Sequence, residues 1–127
     1  MKTVFEQITE LSKTIHAGNV DRGFYDNPET TAGILCLVHS ELSEALESDR
    51  KSHNTQSSLS DVEKIENLEA FKNVFESEVK NTFEDELADA AIRILDLCAY
   101  KGIDIGKHIS LKLKYNATRP YKHGKKY

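Results

Sequence analysis

Two pairs of carboxylates stand out in this 127-residue chain: Glu41 with Glu44, and Glu86 with Asp89. Each pair reads acid-x-x-acid inside a stretch of helical periodicity, so both members fall on one helix face. Four carboxylates facing one another repel unless cations lie between them. Magnesium takes oxygen ligands and commonly bridges to a substrate's phosphates. The spacing therefore points to a magnesium site that handles a phosphorylated small molecule. Either pair alone resembles a solvated helix surface; their neighbours set them apart. Glu41 interrupts an apolar arc of Ile34, Leu37, Val38, Leu42 and Ala45, with Glu44 at its edge, and a buried charge needs a partner or a metal. Glu86, Asp89, Arg93 and Asp96 form one polar stripe on a segment that is otherwise apolar: Phe83, Leu87, Ala90, Ala91, Ile94, Leu95, Leu97 and Cys98. A mostly buried helix with one charged stripe usually lines an interior site.

The elements that must position these acids are helices. Val4, Phe5, Ile8, Leu11 and Ile15 predict an amphipathic helix over 3–17, ended by Gly18. Residues 19–28 read as a loop with exposed aromatics, and Pro28 and Glu29 suit the first turn of a helix running to about Asp49. The polar stretch 48–60 reads as a mobile loop. Ser60-Asp61-Val62-Glu63 looks like a capping box before a short amphipathic helix carrying Ile65, Leu68, Phe71, Val74 and Phe75. The next helix spans roughly Thr82 to Lys101, closed at Gly102. Asp104 caps a last helix over about Ile105 to Ala117, before an extended or irregular tail from Pro120 to Tyr127. No strand pattern and no repeat is sustained. The expectation is a single all-α domain over 1–127, a bundle of four to five helices completed by oligomerisation, with a variable polar insert near 50–80.

Composition narrows the class. With 39% hydrophobic and 30% charged residues, a folded chain is favoured over disorder. No run approaches a membrane span and residues 1–10 lack a signal-peptide core, so the expected location is cytoplasmic, with no membrane partner. Cys36 and Cys98 sit among apolar neighbours and read as buried free thiols. Without CxxC or a Cys/His cluster, zinc is disfavoured. The net charge of −4 is unevenly spread. Residues 1–104 hold all 21 acids and ten of the 17 Lys and Arg, whereas Ile105 to Tyr127 hold seven cations and no acid. An acidic metal site and a basic tail can meet at a polyphosphate. An acidic body speaks against a stable nucleic-acid partner, because phosphate contacts dominate that affinity.

His39-Ser40-Glu41-Leu42-Ser43-Glu44-Ala45-Leu46-Glu47 and Glu86-Leu87-Ala88-Asp89-Ala90-Ala91-Ile92-Arg93 together resemble the MazG-like group of all-α nucleoside triphosphate pyrophosphohydrolases, whose signature is ExxE followed by ExxD. Gly102-Ile103-Asp104-Ile105 and the run Lys112 to Pro120 are similar to that group's closing segment. The resemblance covers about residues 20–50 and 82–125; the 41 residues between Glu44 and Glu86 exceed the spacing of its compact members. It implies magnesium-dependent hydrolysis, with manganese as the alternative ion, between the α and β phosphates of a nucleoside triphosphate. Glu41, Glu44, Glu86 and Asp89 would hold the metal, and Glu41 or Glu44 would serve as general base. Lys112, Asn116 and Arg119, with Lys122 beside them, would contact phosphates; Tyr115 is either a substrate contact or a core residue. A homodimer or dimer of dimers is the implied assembly.

Other residues read more plainly. His39 is expected in a structural hydrogen bond. His16, His53, His108 and His123 show no ligand spacing. Phe24 and Tyr25 either stack on a base or pack. Asp96 and Arg93 read as a pair that orients the ligands, or as a plain i,i+3 ion pair. A di-iron bundle needs Glu-x-x-His and a P-loop needs a Gly-rich loop with Lys-Ser/Thr; neither is present. The rival from another class is a catalytically inactive helical interaction or nucleotide-binding module.

Overall fold

The computed structural model describes residues 1–126; Tyr127 and the side chain of His123 lie outside the described residues. The chain is all-α. Six α-helices are described: α1 Val4–Asp21, α2 Thr31–Arg50, α3 Leu59–Glu63, α4 Leu68–Glu78, α5 Phe83–Tyr100 and α6 Ile105–Ala117. None is long and apolar enough to cross a membrane. The expected four to five helices become six because the 59–78 stretch is two helices. Ser58, not Ser60, caps α3 by accepting from Asp61 N, and Asn67 caps α4 by accepting from Ala70 N.

Helix ends follow local chemistry. Thr3 and Glu6 form a capping box at the start of α1. Gly18 does not stop this helix. It continues to Asp21 and ends where Gly23 takes φ 85°, with Phe24 N donating to Asn19 O. Likewise Pro28 and Glu29 precede α2, whose cap is Thr30, accepting from Gly33 N at 3.0 Å. Gly102 ends α5 at φ 68°, and Asp104 caps α6 by accepting from Lys107 N at 3.1 Å. The tail is not wholly irregular: Tyr121–Gly124 forms a 3-10 turn.

Contacts divide the chain into two compact units, Met1–Pro28 with Leu95–Tyr127, and Glu29–Ile94. In the first, α1 and α6 approach backbone to backbone. Gly106 is buried, and a Cβ there would lie 1.7 Å from Phe5 O. Thr9 Oγ1 accepts from Gly106 N at 2.8 Å and donates to Asp104 Oδ1 at 2.7 Å.

In the second unit, Val38, Ala45, Val62, Val79 and Ala90 are the buried apolar residues. Fully buried Thr82 starts α5: its Oγ1 accepts from Asp85 N at 3.3 Å, donates to Val79 O and meets Thr55 Oγ1 at 2.9 Å. The segment read as a mobile loop is tied to this helix start. Phe83 N donates to His53 O, and Thr55 N and Asn54 Nδ2 donate to Glu84, the Thr55 N–H holding that carboxyl below its ordinary range.

Candidate functional site

Helices α2 and α5 bring three of the four predicted acids together. Carboxylate oxygens of Glu41, Glu44 and Glu86 lie within 4.8 Å of one another. The buried stripe of α2 is Val38, Glu41, Ala45 and Ser48, at steps of three and four. Glu41 therefore does lie on the inward face. That face is rotated from the expected one, since Leu37 and Leu42 are exposed and Ile34 is half-buried. On α5, Glu86 is buried one turn before Ala90. Glu44, three residues after Glu41, projects to an exposed position. Two buried acids and one exposed acid thus converge from two helices.

The charges are unequal. Burial pushes Glu86 up, a hydrogen bond to Glu41 adds to this, and the charge of Glu44 raises it further, to about 7. Burial also works against ionised Glu41, but Arg93 Nε donates to Glu41 Oε1 at 2.8 Å and holds it below the ordinary carboxylate range. Asp89 stands outside the close trio but within its field: burial first, then the charges of Asp85 and Glu41, raise its pKa. One proton is therefore held easily among acids whose repulsion a divalent cation would relieve. The donor set, hard oxygens with two members buried, fits magnesium or manganese.

Asp96 plays a different part from the one expected. It does not pair with Arg93. Its Oδ1 lies 2.8 Å from His16 Nδ1, and its Oδ2 accepts from Tyr25 OH at 2.8 Å and Asn19 Nδ2 at 3.0 Å. His16, Tyr25 and Tyr100 pack as an aromatic cluster with centroids 4.5–5.7 Å apart. Burial and the Asp96 carboxylate hold the Tyr25 hydroxyl above its ordinary pKa. Tyr25 is thus a packing residue, while Phe24 is exposed. No ligand spacing announces His16, because its partner is 80 residues away.

The predicted phosphate contacts lie on and after α6. Lys112 Nζ is 5.1 Å and Arg119 Cζ 5.9 Å from the centroid of Tyr115, which is exposed and so not a core residue. Asn116 Oδ1 is buried without a hydrogen-bond partner among the described residues. Lys122 has φ 52° and its Nζ lies 5.8 Å from the Tyr121 ring. Two minor expectations fail. His39 is exposed and makes no side-chain hydrogen bond among the described residues, because its side of α2 faces away from Val38 and Ala45. Cys36 is exposed for the same reason; Cys98 is buried, and both thiols are free.

Comparison with known protein families, with characterised proteins and with solved structures returns no match.

Proposed function

We propose that this chain hydrolyses a nucleoside triphosphate at the α–β phosphate bond, giving a monophosphate and pyrophosphate, with Glu41, Glu44, Glu86 and Asp89 holding magnesium. The observation that carries this reading is the convergence of Glu41, Glu44 and Glu86 from two helices, two of them buried. The resemblance to MazG-like pyrophosphohydrolases in the ExxE and ExxD segments points the same way. Bound magnesium supplies polarisation of phosphoryl oxygens and a water of lowered pKa.

The residues divide the remaining work. Glu41 is buried, whereas Glu44 is exposed at the edge of the trio, so Glu44 is the better acceptor for a proton leaving the attacking water. The water oxygen bonds to phosphorus as the bridging P–O bond breaks, and pyrophosphate departs. The resemblance assigns the phosphate contacts to Lys112 and Arg119, which both lie beside the Tyr115 ring.

The working form is a homodimer or dimer of dimers. Leu35, Leu42 and Leu46 on α2 are exposed at steps of seven and four, as are Leu87 and Ile94 seven apart on α5. These half-exposed side chains give a second copy an apolar surface to cover. They also revise the expectation that α5 is mostly buried.

The test is pyrophosphate release from a panel of nucleoside triphosphates with magnesium. Glu41→Gln and Glu86→Gln each lower the rate by about a hundredfold or more. No release with any nucleotide, together with no metal-dependent thermal shift, favours the inactive module instead.

A further inference from the structure

Among the described residues, Arg93 makes the only ion pair with any of Glu41, Glu44, Glu86 and Asp89. It lies one turn after Asp89 and two turns after Glu86 on α5, so it belongs to the same face as the acids it neutralises. Its guanidinium uses Nε alone toward Glu41 Oε1, at 2.8 Å. The two partners differ in freedom: the Glu41 side chain is 10% exposed and the Arg93 side chain 40%. Glu41 is held on the inward face of its helix. Arg93 has solvent to swing into and terminal nitrogens that water can satisfy.

We propose that Arg93 is a resident counter-cation of the carboxylate cluster, which occupies Glu41 in the chain alone and is displaced from it by the divalent ion. This rests on the metal reading of Glu41, Glu44 and Glu86 given above. A guanidinium and a divalent ion on the same buried carboxylate repel each other. The more exposed cation gives way, because its loss of the hydrogen bond is offset by hydration. Arg93 thus stabilises the metal-free cluster and, through the same contact, weakens metal binding. It is a positioning residue that sets the ion concentration at which the site fills.

The test uses the metal alone. Manganese binding is followed by the paramagnetic resonance of the free ion, and magnesium binding by calorimetry, on the full chain and on Arg93→Ala and Arg93→Lys. Melting in chelator is measured in parallel. Arg93→Ala binds manganese about five- to tenfold more tightly, by removal of one nearby positive charge. Its metal-free melting temperature falls by about 2–6 °C, so saturating metal stabilises it more than it stabilises the parent chain. Arg93→Lys keeps the charge and stays closer to the parent in affinity. An Ala variant that binds manganese no more tightly than the parent overturns the proposal while leaving the metal site standing. A Lys variant as tight as the Ala variant overturns its electrostatic basis. A parent chain that binds neither ion removes the metal reading itself, and the proposal with it.

Discussion

Arg93 Nε donates to Glu41 Oε1 across 2.8 Å, and that contact sets Glu41 apart from Glu86 although both are buried. The charge of Arg93 is spent on one acid, and the other takes up the repulsion. Glu41 is held below the ordinary carboxylate range, while Glu86 is pushed up to about 7.

This split predicts how stability follows pH in chelator. Glu86 binds its proton more tightly folded than unfolded. Its contribution is therefore fully present below its ordinary value of 4.5 and is lost as pH rises through about 7. Glu41 has the opposite sign and acts only at the acid end, losing its contribution as pH falls through its depressed folded value. Between pH 5 and 8 the metal-free chain becomes less stable, and Glu86→Gln flattens that slope, exceeding the parent at pH 8 by about 1–3 kcal/mol. Urea melts at pH 5, 6.5 and 8 measure it. A parent chain more stable at pH 8 than at pH 5 contradicts the assignment.

Asp96 is the acceptor for three donors: His16, Asn19 and Tyr25. Asp96→Ala leaves them part-buried with no acceptor and costs about 2–4 kcal/mol. Tyr25→Phe removes one donor and costs about 1 kcal/mol. In the Asp96→Ala background Tyr25→Phe costs less than it does alone, because its partner is already gone. Additive losses in this cycle would show that Tyr25 acts through packing and not through its hydroxyl.

Leu42 and Leu46 are exposed on α2 at about half of their full accessibility, 46% and 52%. If the proposed assembly forms, Leu42→Asp with Leu46→Asp yields a monomer and leaves the helical circular dichroism of the chain unchanged. Sedimentation of the parent as a monomer at micromolar concentration refutes the assembly.

Gly106 and Gly102 form a matched pair of tests. A Cβ at Gly106 meets Phe5 O at 1.7 Å, so Gly106→Ala forces α1 and α6 apart and costs about 3 kcal/mol or more. At Gly102 no atom lies within 4 Å and only the positive φ of 68° resists substitution, so Gly102→Ala costs about 1 kcal/mol. Equal losses at the two positions would contradict this account of the α1–α6 contact.

Local signals in the chain carry much of its secondary structure. The bounds of α6, the caps at Asp104 and Gly102, and the inward placement of Glu41 were legible, because periodicity and capping chemistry act over one or two turns. Two glycine and proline signals misled. Gly18 lies inside α1 because Gly23 supplies the left-handed residue, and Pro28 lies outside α2 because Thr30 offers the hydroxyl cap. What could not be read was which polar residue finds which partner across long separations. Asp96 and Arg93 share a stripe, yet Arg93 turns to Glu41, 52 residues away, and Asp96 to His16, 80 residues away. The exposure of Cys36 and Leu42 is hidden for a related reason: in an apolar run, periodicity alone does not say which of the apolar side chains turn inward.

The backbone contact between Gly106 and Phe5 has a consequence for how the protein is made. The unit that contains it is assembled from Met1–Pro28 and Leu95–Tyr127, with the whole of the other unit lying between them in sequence. On the ribosome, α1 emerges before the intervening unit and waits for α6, which is translated after that unit. The intervening unit can condense from a continuous segment while α1, without its α6 neighbour, depends on its capping box to hold its shape. Closing the long loop between α1 and α6 is then the late and slow event of folding, and it is completed only after the basic segment has left the tunnel.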